Sequence, residues 1–257
     1  MGNQQLYILN EDTKQLLLTA KLGDGHLTIP KNSNSNSCYY TNCIYKEYLE
    51  HKKSILRDLS FDITYVEKNG YAGKPIFCLS SKKHVEITKI KNMSLEDTLS
   101  SLNDYGIALW FYDDGSLHKD KLFYNLNTHS FSKEIQENLF IPFFNKYNIF
   151  PKVTKEIKKN GNIYYYLRIS KFEGAYEISE ILNKYKINCY SYKVWSSETS
   201  QKWRKLQVQL KSMTIDISNS KKGKLLELDS VEDIVRSLEK FKASRWYKTR
   251  ARNNETC

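Results

Sequence analysis

An apolar run that stops at two acids and a glycine is the feature that most constrains the fold of this chain. Residues Ile107–Leu117 read IALWFYDDGSL, so that mostly apolar residues lead directly into Asp113-Asp114-Gly115. Glycine takes the left-handed conformation at little cost and is common just past a helix C-terminus, so the segment predicts a buried helix that ends at Asp114. An acid is unfavourable there, because a helix C-terminus already carries partial negative charge. We therefore expect a cation nearby.

The same pattern occurs a second time, near the N-terminus. Leu16–Leu27 reads LLLTAKLGDGHL and again carries an apolar stretch into an Asp-Gly-x-Leu sequence. The two acids, Asp24 and Asp114, are 114 − 24 = 90 residues apart. This period is larger than that of a solenoid unit, so it predicts a duplicated subdomain.

The segments after each motif follow the same order. In the first half, periodicity predicts strands at 27–30, 38–45, 63–67 and 74–80, and helices at 46–59 and 95–102. In the second half, it predicts strands at 121–130, 153–159 and 163–170, and helices at 133–147 and 172–186. The pattern favours an α+β fold of two pseudo-symmetric αββαββα subdomains, residues 14–103 and 104–198, followed by an extension, residues 199–257.

The net charge indicates the class of binding partner, and the cysteine content indicates the cellular compartment. The formal charge of +11 points to a polyanion, either nucleic acid or an anionic membrane surface. No stretch approaches the roughly 20 apolar residues of a membrane span, and no signal peptide or myristoylation site is evident. Five cysteines without a C-x-x-C pair make a zinc site and disulfides improbable. We expect a soluble, intracellular protein of unassigned compartment, with no membrane partner.

The extension at the C-terminus holds much of the positive charge. Residues Thr199–Cys257 contain 14 Lys/Arg and 7 Asp/Glu. Ser230–Lys242 predicts an amphipathic helix, and Ser244–Arg252 interleaves aromatic and basic residues. Two interpretations stay open: a small DNA-binding module, or a docking helix with a solvated basic tail. The first would use Arg245, Lys248 and Arg250 as phosphate contacts.

With their acids aligned, the two motifs resemble those of a known family. Leu17–Gly25 (LLTAKLGDG) and Ile107–Gly115 (IALWFYDDG) are similar to the motifs of single-chain, two-motif LAGLIDADG homing endonucleases. The first copy departs from the family at Lys21, where an apolar residue is usual, and at Thr19, where a small glycine is common. The resemblance covers residues 14–198. It implies a saddle-shaped antiparallel β surface, with the two motif helices packed together at a pseudo-two-fold axis.

The resemblance also implies a divalent metal site. It would bring Asp24 and Asp114 side by side, and two carboxylates at two negative helix ends attract Mg²⁺ or Mn²⁺. Gly23 and Asp113 are further metal candidates, although only one of two adjacent side chains can face the partner helix, which favours Asp113 as a helix-end residue. Either Asp-Gly pair alone could be a simple helix stop signal. Two copies, each between an apolar helix and a strand, favour the metal site.

The family supplies a lysine near each acid, where it can neutralise charge that develops on the phosphate. Tyr192-Lys193-Val194 resembles the family segment that carries the second-half lysine, which makes Lys193 a catalytic candidate beside Asp24 and Asp114. For the first half, Lys89 and Lys91 are both available, and spacing favours Lys91.

Polar and basic residues on the predicted strands are candidates for DNA contacts. Amide and basic side chains are the types that read base edges, while lysine and arginine also hold phosphates. Any one of them could equally be an ordinary solvated residue. The outward-facing candidates are Tyr40, Asn42, Asn125, Asn127, His129, Lys152, Lys155 and Arg168.

These features together predict a site-specific endonuclease that binds double-stranded DNA as a monomer. Because the two halves have diverged, we expect a long, non-palindromic target that is cut on both strands by Mg²⁺-dependent hydrolysis. Two alternatives use the same fold: a maturase that binds intron RNA, and a non-catalytic DNA-binding regulator. The presence of both acids favours the nuclease.

Overall fold

The computed structural model describes residues 9–29, 32, 35–67, 75–118 and 122–210. The first half consists of α1 (Glu11–Thr19), β1 (His26–Leu27), β2 (Tyr39–Cys43), α2 (Lys46–Leu56), a 3₁₀ turn (Arg57–Leu59), β3 (Thr64–Val66), β4 (Ile76–Ser80), α3 (Val85–Asn92) and α4 (Leu95–Ser100). The second half consists of α5 (Asp104–Asp114), β5 (Gly115–His118), β6 (Phe123–Leu126), α6 (Lys133–Ile135), a π-helical turn (Gln136–Phe140), α7 (Ile141–Asn145), β7 (Lys152–Ile157), β8 (Ile163–Ile169) and α8 (Phe172–Lys184). A 3₁₀ segment (Asn188–Lys193) and α9 (Ser197–Leu210) follow.

Each half builds its own four-stranded antiparallel sheet. The strand orders are β1-β2-β4-β3 and β5-β6-β8-β7, so the second sheet repeats the topology of the first. The predicted α+β fold with a duplicated unit is confirmed. The division at residues 103/104 and 198/199 stays a prediction. The predicted tail helix, with Arg245, Lys248 and Arg250 beyond it, lies outside the described residues.

The two motif helices, α1 and α5, pack side by side in the core. Gln15 on α1 makes two hydrogen bonds to the backbone just before α5. Its side-chain nitrogen donates to the Ser101 carbonyl (2.9 Å), and its side-chain oxygen accepts from the Asn103 N–H (3.0 Å). Farther along, the Thr19 hydroxyl donates to the Gly106 carbonyl (3.2 Å). All residues of α5 from Ile107 to Tyr112 are buried. The apolar run therefore forms the predicted buried helix, which ends at Asp114.

α1 and α3 differ from the sequence prediction. α1 ends at Thr19 rather than at Asp24, and turns carry the chain onward, with the Gly23 N–H donating to the Thr19 carbonyl (3.0 Å). Lys21 lies in these turns, and its ammonium donates to the Met93 carbonyl. α3 was not predicted, since only Ile87 and Ile90 are buried and two apolar residues give little periodic signal.

Gly115 is required for a reason other than the one its position predicts. Its φ of −80° and ψ of 149° are those of extended backbone, so the expected left-handed conformation is wrong. A Cβ at this position would lie 2.5 Å from the Phe111 carbonyl oxygen and 2.7 Å from the Phe111 ring. Gly115 thus lets β5 begin directly against the last turn of α5.

None of the described helices is long and apolar enough to cross a membrane.

Gly115→Ala should destabilise the fold. The added methyl group meets a helix carbonyl and a buried ring, neither of which can move cheaply, so we expect a loss of about 1–3 kcal/mol of unfolding free energy. Urea unfolding would measure it, with Ser116→Ala, on the next residue of β5, as the control. An unchanged unfolding midpoint would show that this corner has room for a side chain.

Candidate active site

The turn after α1 lies directly against the end of α5. A Cβ on Gly23 would sit 2.3 Å from Asp114 Oδ2, so only glycine leaves room for that carboxylate. The backbone of the first motif is therefore in contact with the acid of the second. Asp114 Oδ2 is buried and has no hydrogen-bond partner in the described part of the chain. A buried polar atom without a partner is costly, and it marks a place where a proton or a cation would bind.

The charge of Asp24 acts on Asp114. Burial, then the charges of Asp24 and Asp113, raise the pKa of Asp114 to about 8. The Asp24 carboxylate remains accessible to solvent, but the protein packed around it and the charge of Asp113 raise its pKa as well. The predicted meeting of Asp24 and Asp114 thus has an electrostatic signature in the structure.

Asp113 occupies a separate, buried ion pair. Its Oδ1 accepts from the Lys52 ammonium (2.7 Å) and from the Tyr48 hydroxyl (2.7 Å), and the Lys52 and Asp113 side chains are 1% and 3% exposed. Burial alone would lower the pKa of Lys52, but the Asp113 carboxylate raises it above its usual value. This geometry supports Asp113 as a helix-end residue and speaks against its role as a metal ligand.

Sequence reasoning missed Lys52. The predicted helix at 46–59 does not by itself separate Lys52 from the other polar residues. Lys52 nevertheless falls within the helical spacing of the buried residues of this helix, which are Tyr48, Leu49, Ile55 and Leu56. A lysine on the apolar face of a helix was the available signal, since lysine is almost never fully buried unless it is paired.

Lys193 is the second cation at the end of α5. It is buried, and its ammonium donates to the carbonyl oxygens of Phe111 (3.3 Å) and Tyr112 (2.6 Å). Burial lowers the pKa of Lys193, while the nearby acids Asp113, Asp114 and Asp24 act to raise it. An acid at a helix C-terminus predicts a nearby cation, and two are present. Lys52 binds the Asp113 side chain, and Lys193 binds the backbone carbonyls at the end of α5.

The described residues show no contact between Lys91 and the two motif acids. It lies half-buried on α3 near Lys21, and its charge adds to the effect of burial in lowering the Lys21 pKa. Among the described residues, no hydrogen bond or ion pair joins Lys91 to Asp24 or Asp114. The role of Lys91 as the first-half catalytic lysine stays a prediction.

Most of the candidate DNA contacts lie on the open faces of the two sheets. Tyr40 and Asn42 are exposed and alternate with buried Tyr39 and Thr41 along β2. In the second sheet, the candidates on or beside the face opposite the buried residues are Asn125, Asn127, His129, Lys152 and Arg168. The open face of the first sheet thus carries an aromatic ring and an amide, and that of the second sheet carries amides and basic groups.

Lys155 is the exception. It pairs with Tyr165, whereas Lys152 pairs with Arg168, and side chains three positions apart on a strand point to opposite faces. The expectation that Lys155 shares the outward face with Lys152 is therefore wrong. Lys155 is exposed on the helix side of the sheet, beyond the packed core.

Loss of the Lys52 charge should be severely destabilising. Lys52→Met leaves Asp113 buried without its partner, which costs about 3–5 kcal/mol. The double variant Lys52→Met/Asp113→Asn keeps an acceptor for the Tyr48 hydroxyl and leaves no unpaired charge, so it should recover much of that loss. Urea unfolding of the two single variants and of the double variant tests this. If the losses of unfolding free energy in the two single variants add up to the loss in the double variant, the two residues do not interact.

Stability without metal should depend on the ionisation of Asp114. Between its usual pKa of 3.8 and the folded value of about 8, the folded protein holds a proton that the unfolded chain releases. Stability from this group therefore falls as pH rises through that window and levels off above it. With a chelator present, the Asp114→Asn variant should have a higher melting temperature than the wild type at pH 8, and this difference should shrink towards pH 5. A difference in melting temperature that stays constant from pH 5 to pH 8 would contradict the raised pKa of Asp114.

Comparison with known proteins agrees with the architecture. The structure of the homing endonuclease I-WcaI bound to its DNA recognition sequence matches with a TM-score of 0.63 and 21% identity, over 76% of this chain and 95% of that one. Structures of mesophilic variants of the homing endonuclease I-DmoI match with a TM-score of 0.47 and 16% identity, over 67% and 96% of the chains. Another I-DmoI structure, in complex with DNA and Mn, matches with a TM-score of 0.42 and 16% identity, over 63% and 91%. No curated protein matches the chain.

The sequence also matches a family model. Residues 17–176, which include both motifs and both sheets, match the LAGLIDADG DNA endonuclease family. Since this segment is more than half of the 257 residues, the chain belongs to the LAGLIDADG DNA endonuclease family.

Proposed function

We propose that this protein is a site-specific endonuclease that hydrolyses both strands of a long, non-palindromic DNA target with Mg²⁺ or Mn²⁺. The observation that carries the proposal is the contact of Gly23, next to Asp24 in the first motif, with Asp114 of the second motif, whose Oδ2 is buried without a partner in the described part of the chain. A fold that only bound nucleic acid would gain nothing from two mutually repelling carboxylates.

The residues present fit a hard divalent cation. Within the described residues, no cluster of three or more His, Cys, Asp or Glu side chains could hold a metal. Mg²⁺ is commonly held by one or two carboxylates, with waters and substrate phosphates completing its shell. Asp24 and Asp114 would supply the carboxylates, and Gly23 could add only a backbone oxygen. When bound, the ion would activate a water and stabilise the leaving oxygen.

Lys193 would assist this chemistry. Two of the three ammonium N–H groups are used by the Phe111 and Tyr112 carbonyls, which fix the side chain at the end of α5. The third can donate to a phosphate oxygen beside the acids, whose charges favour the protonated lysine. Lys193 would thereby offset the negative charge that develops on the phosphate.

The two open faces support an asymmetric target. The described strands of the first sheet carry no lysine or arginine, and Tyr40 and Asn42 provide hydroxyl and amide groups there. The second sheet presents Arg168 and Lys152 on the corresponding face. Because side chains on strands can read base edges in the major groove, different faces would select different half-sites.

Cleavage assays with motif variants test the proposal. A bound duplex would first be selected from a randomised library with Ca²⁺ in place of Mg²⁺, and then incubated with Mg²⁺. Asp24→Asn and Asp114→Asn should each lower the cleavage rate by about 100-fold or more while binding persists. Asp62→Asn, which removes an exposed acid paired only with Lys53, is the matched control and should cut normally.

Two results would refute the proposal. One is cleavage that survives in both motif variants. The other is selective binding to structured RNA without any bound or cut duplex, which would favour the maturase.

A further inference from the structure

A row of four side chains crosses the open face of the second sheet. Ser116 on β5 pairs with Asn125 on β6, Asn125 pairs with Arg168 on β8, and Arg168 pairs with Lys152 on β7. Arg168 thus stands on an interior strand, with a neighbour on each side. This position is central on the face rather than at its rim.

Arg168 is held by three contacts. Its Nε donates to Asn125 Oδ1 (3.2 Å), and its Nη2 donates to the Tyr166 hydroxyl. The guanidinium also lies over the Phe123 ring, 4.9 Å from the centroid, and Phe123 is itself stacked on His118 (4.3 Å). The side chain is therefore fixed before any ligand arrives, which reduces the entropy lost on binding.

The contacts use one edge of the guanidinium and leave the other open. Nε and Nη2 share the edge that faces Asn125 and Tyr166. The outer edge keeps one N–H group on Nη1 and one on Nη2, and no other described residue accepts from them. Two parallel donors on a rigid plane match two neighbouring acceptors. In the major groove, O6 and N7 of guanine present such a pair, and arginine to guanine is the commonest specific contact.

We propose that Arg168 reads a guanine in the half-site covered by the second sheet, and that Asn125, Tyr166 and Phe123 position it to do so. This inference rests on the proposed function. A phosphate could also accept from the outer edge, but a central, rigidly held fork suits base reading, whereas the exposed Lys152 suits a phosphate.

Selection from a randomised duplex library tests the inference, using the whole chain with Ca²⁺ in place of Mg²⁺. Arg168→Lys keeps the charge but removes the fork, so the preference for guanine at one position should fall by about 10-fold or more. Tyr166→Phe, which removes one anchor, should weaken the same preference by less. Lys152→Ala is the control on the neighbouring strand, and it should reduce affinity evenly across all sequences.

The possible results separate the inference from the proposed function. An enriched motif that loses one guanine in Arg168→Lys, and keeps it in Lys152→Ala, supports the inference. An enriched motif that Arg168→Lys leaves unchanged or weakens evenly overturns it, because Arg168 would then be structural or a phosphate contact, while the proposed function stands. The absence of any enriched duplex with the wild-type chain overturns both.

Discussion

The contact between Gly23 and Asp114 is the constraint on which the rest of the structure depends. Because the turn after α1 touches the Asp114 carboxylate, the two copies of the motif can approach only where one of them has no side chain. The approach buries Oδ2 of Asp114 without a partner and puts it within the field of Asp24. Such an arrangement lowers stability, since an unsatisfied buried polar group costs about 1–3 kcal/mol of unfolding free energy. On the proposed function, the two acids offset this cost by holding a metal ion.

The lysines explain why this concentration of acids can fold. Lys52 reaches from α2 in the first half to Asp113 in the second, and Lys193 binds the carbonyls that end α5. When all are ionised, the three acids Asp24, Asp113 and Asp114 outnumber the two lysines by one charge. Lys52 pairs with Asp113, and Lys193 donates to the carbonyls at the end of α5, so neither lysine makes a direct ion pair with Asp24 or Asp114 in the described residues. The remaining negative charge is therefore concentrated where a divalent cation would be attracted.

The features that the sequence predicts best are those set by local repetition. The run that forms α5 and the duplicated strand order both follow from patterns that extend over many residues. The failures concern contacts between distant segments. Neither the pairing of Lys52 with Asp113, 61 residues away, nor the tight contact that makes Gly115 necessary leaves a local pattern that identifies its partner. The error over Lys155 has a simpler cause: Lys155 is three positions from Lys152, and a regular strand cannot point both side chains to the same face.

The duplication also explains how one chain can combine symmetry with asymmetry. Backbone topology is repeated, so each half delivers one acid to the α1–α5 interface by the same route, a motif helix followed by a strand. Open-face side chains are under no such requirement, since they do not pack in the core. Tyr40 and Asn42 on one sheet, and Arg168 and Lys152 on the other, show that they have diverged. On the proposed function, the symmetric part would meet two phosphodiesters related by the pseudo-two-fold axis of the duplex. The divergent part would meet base edges, which need not repeat, so one chain could address a non-palindromic target without a second subunit.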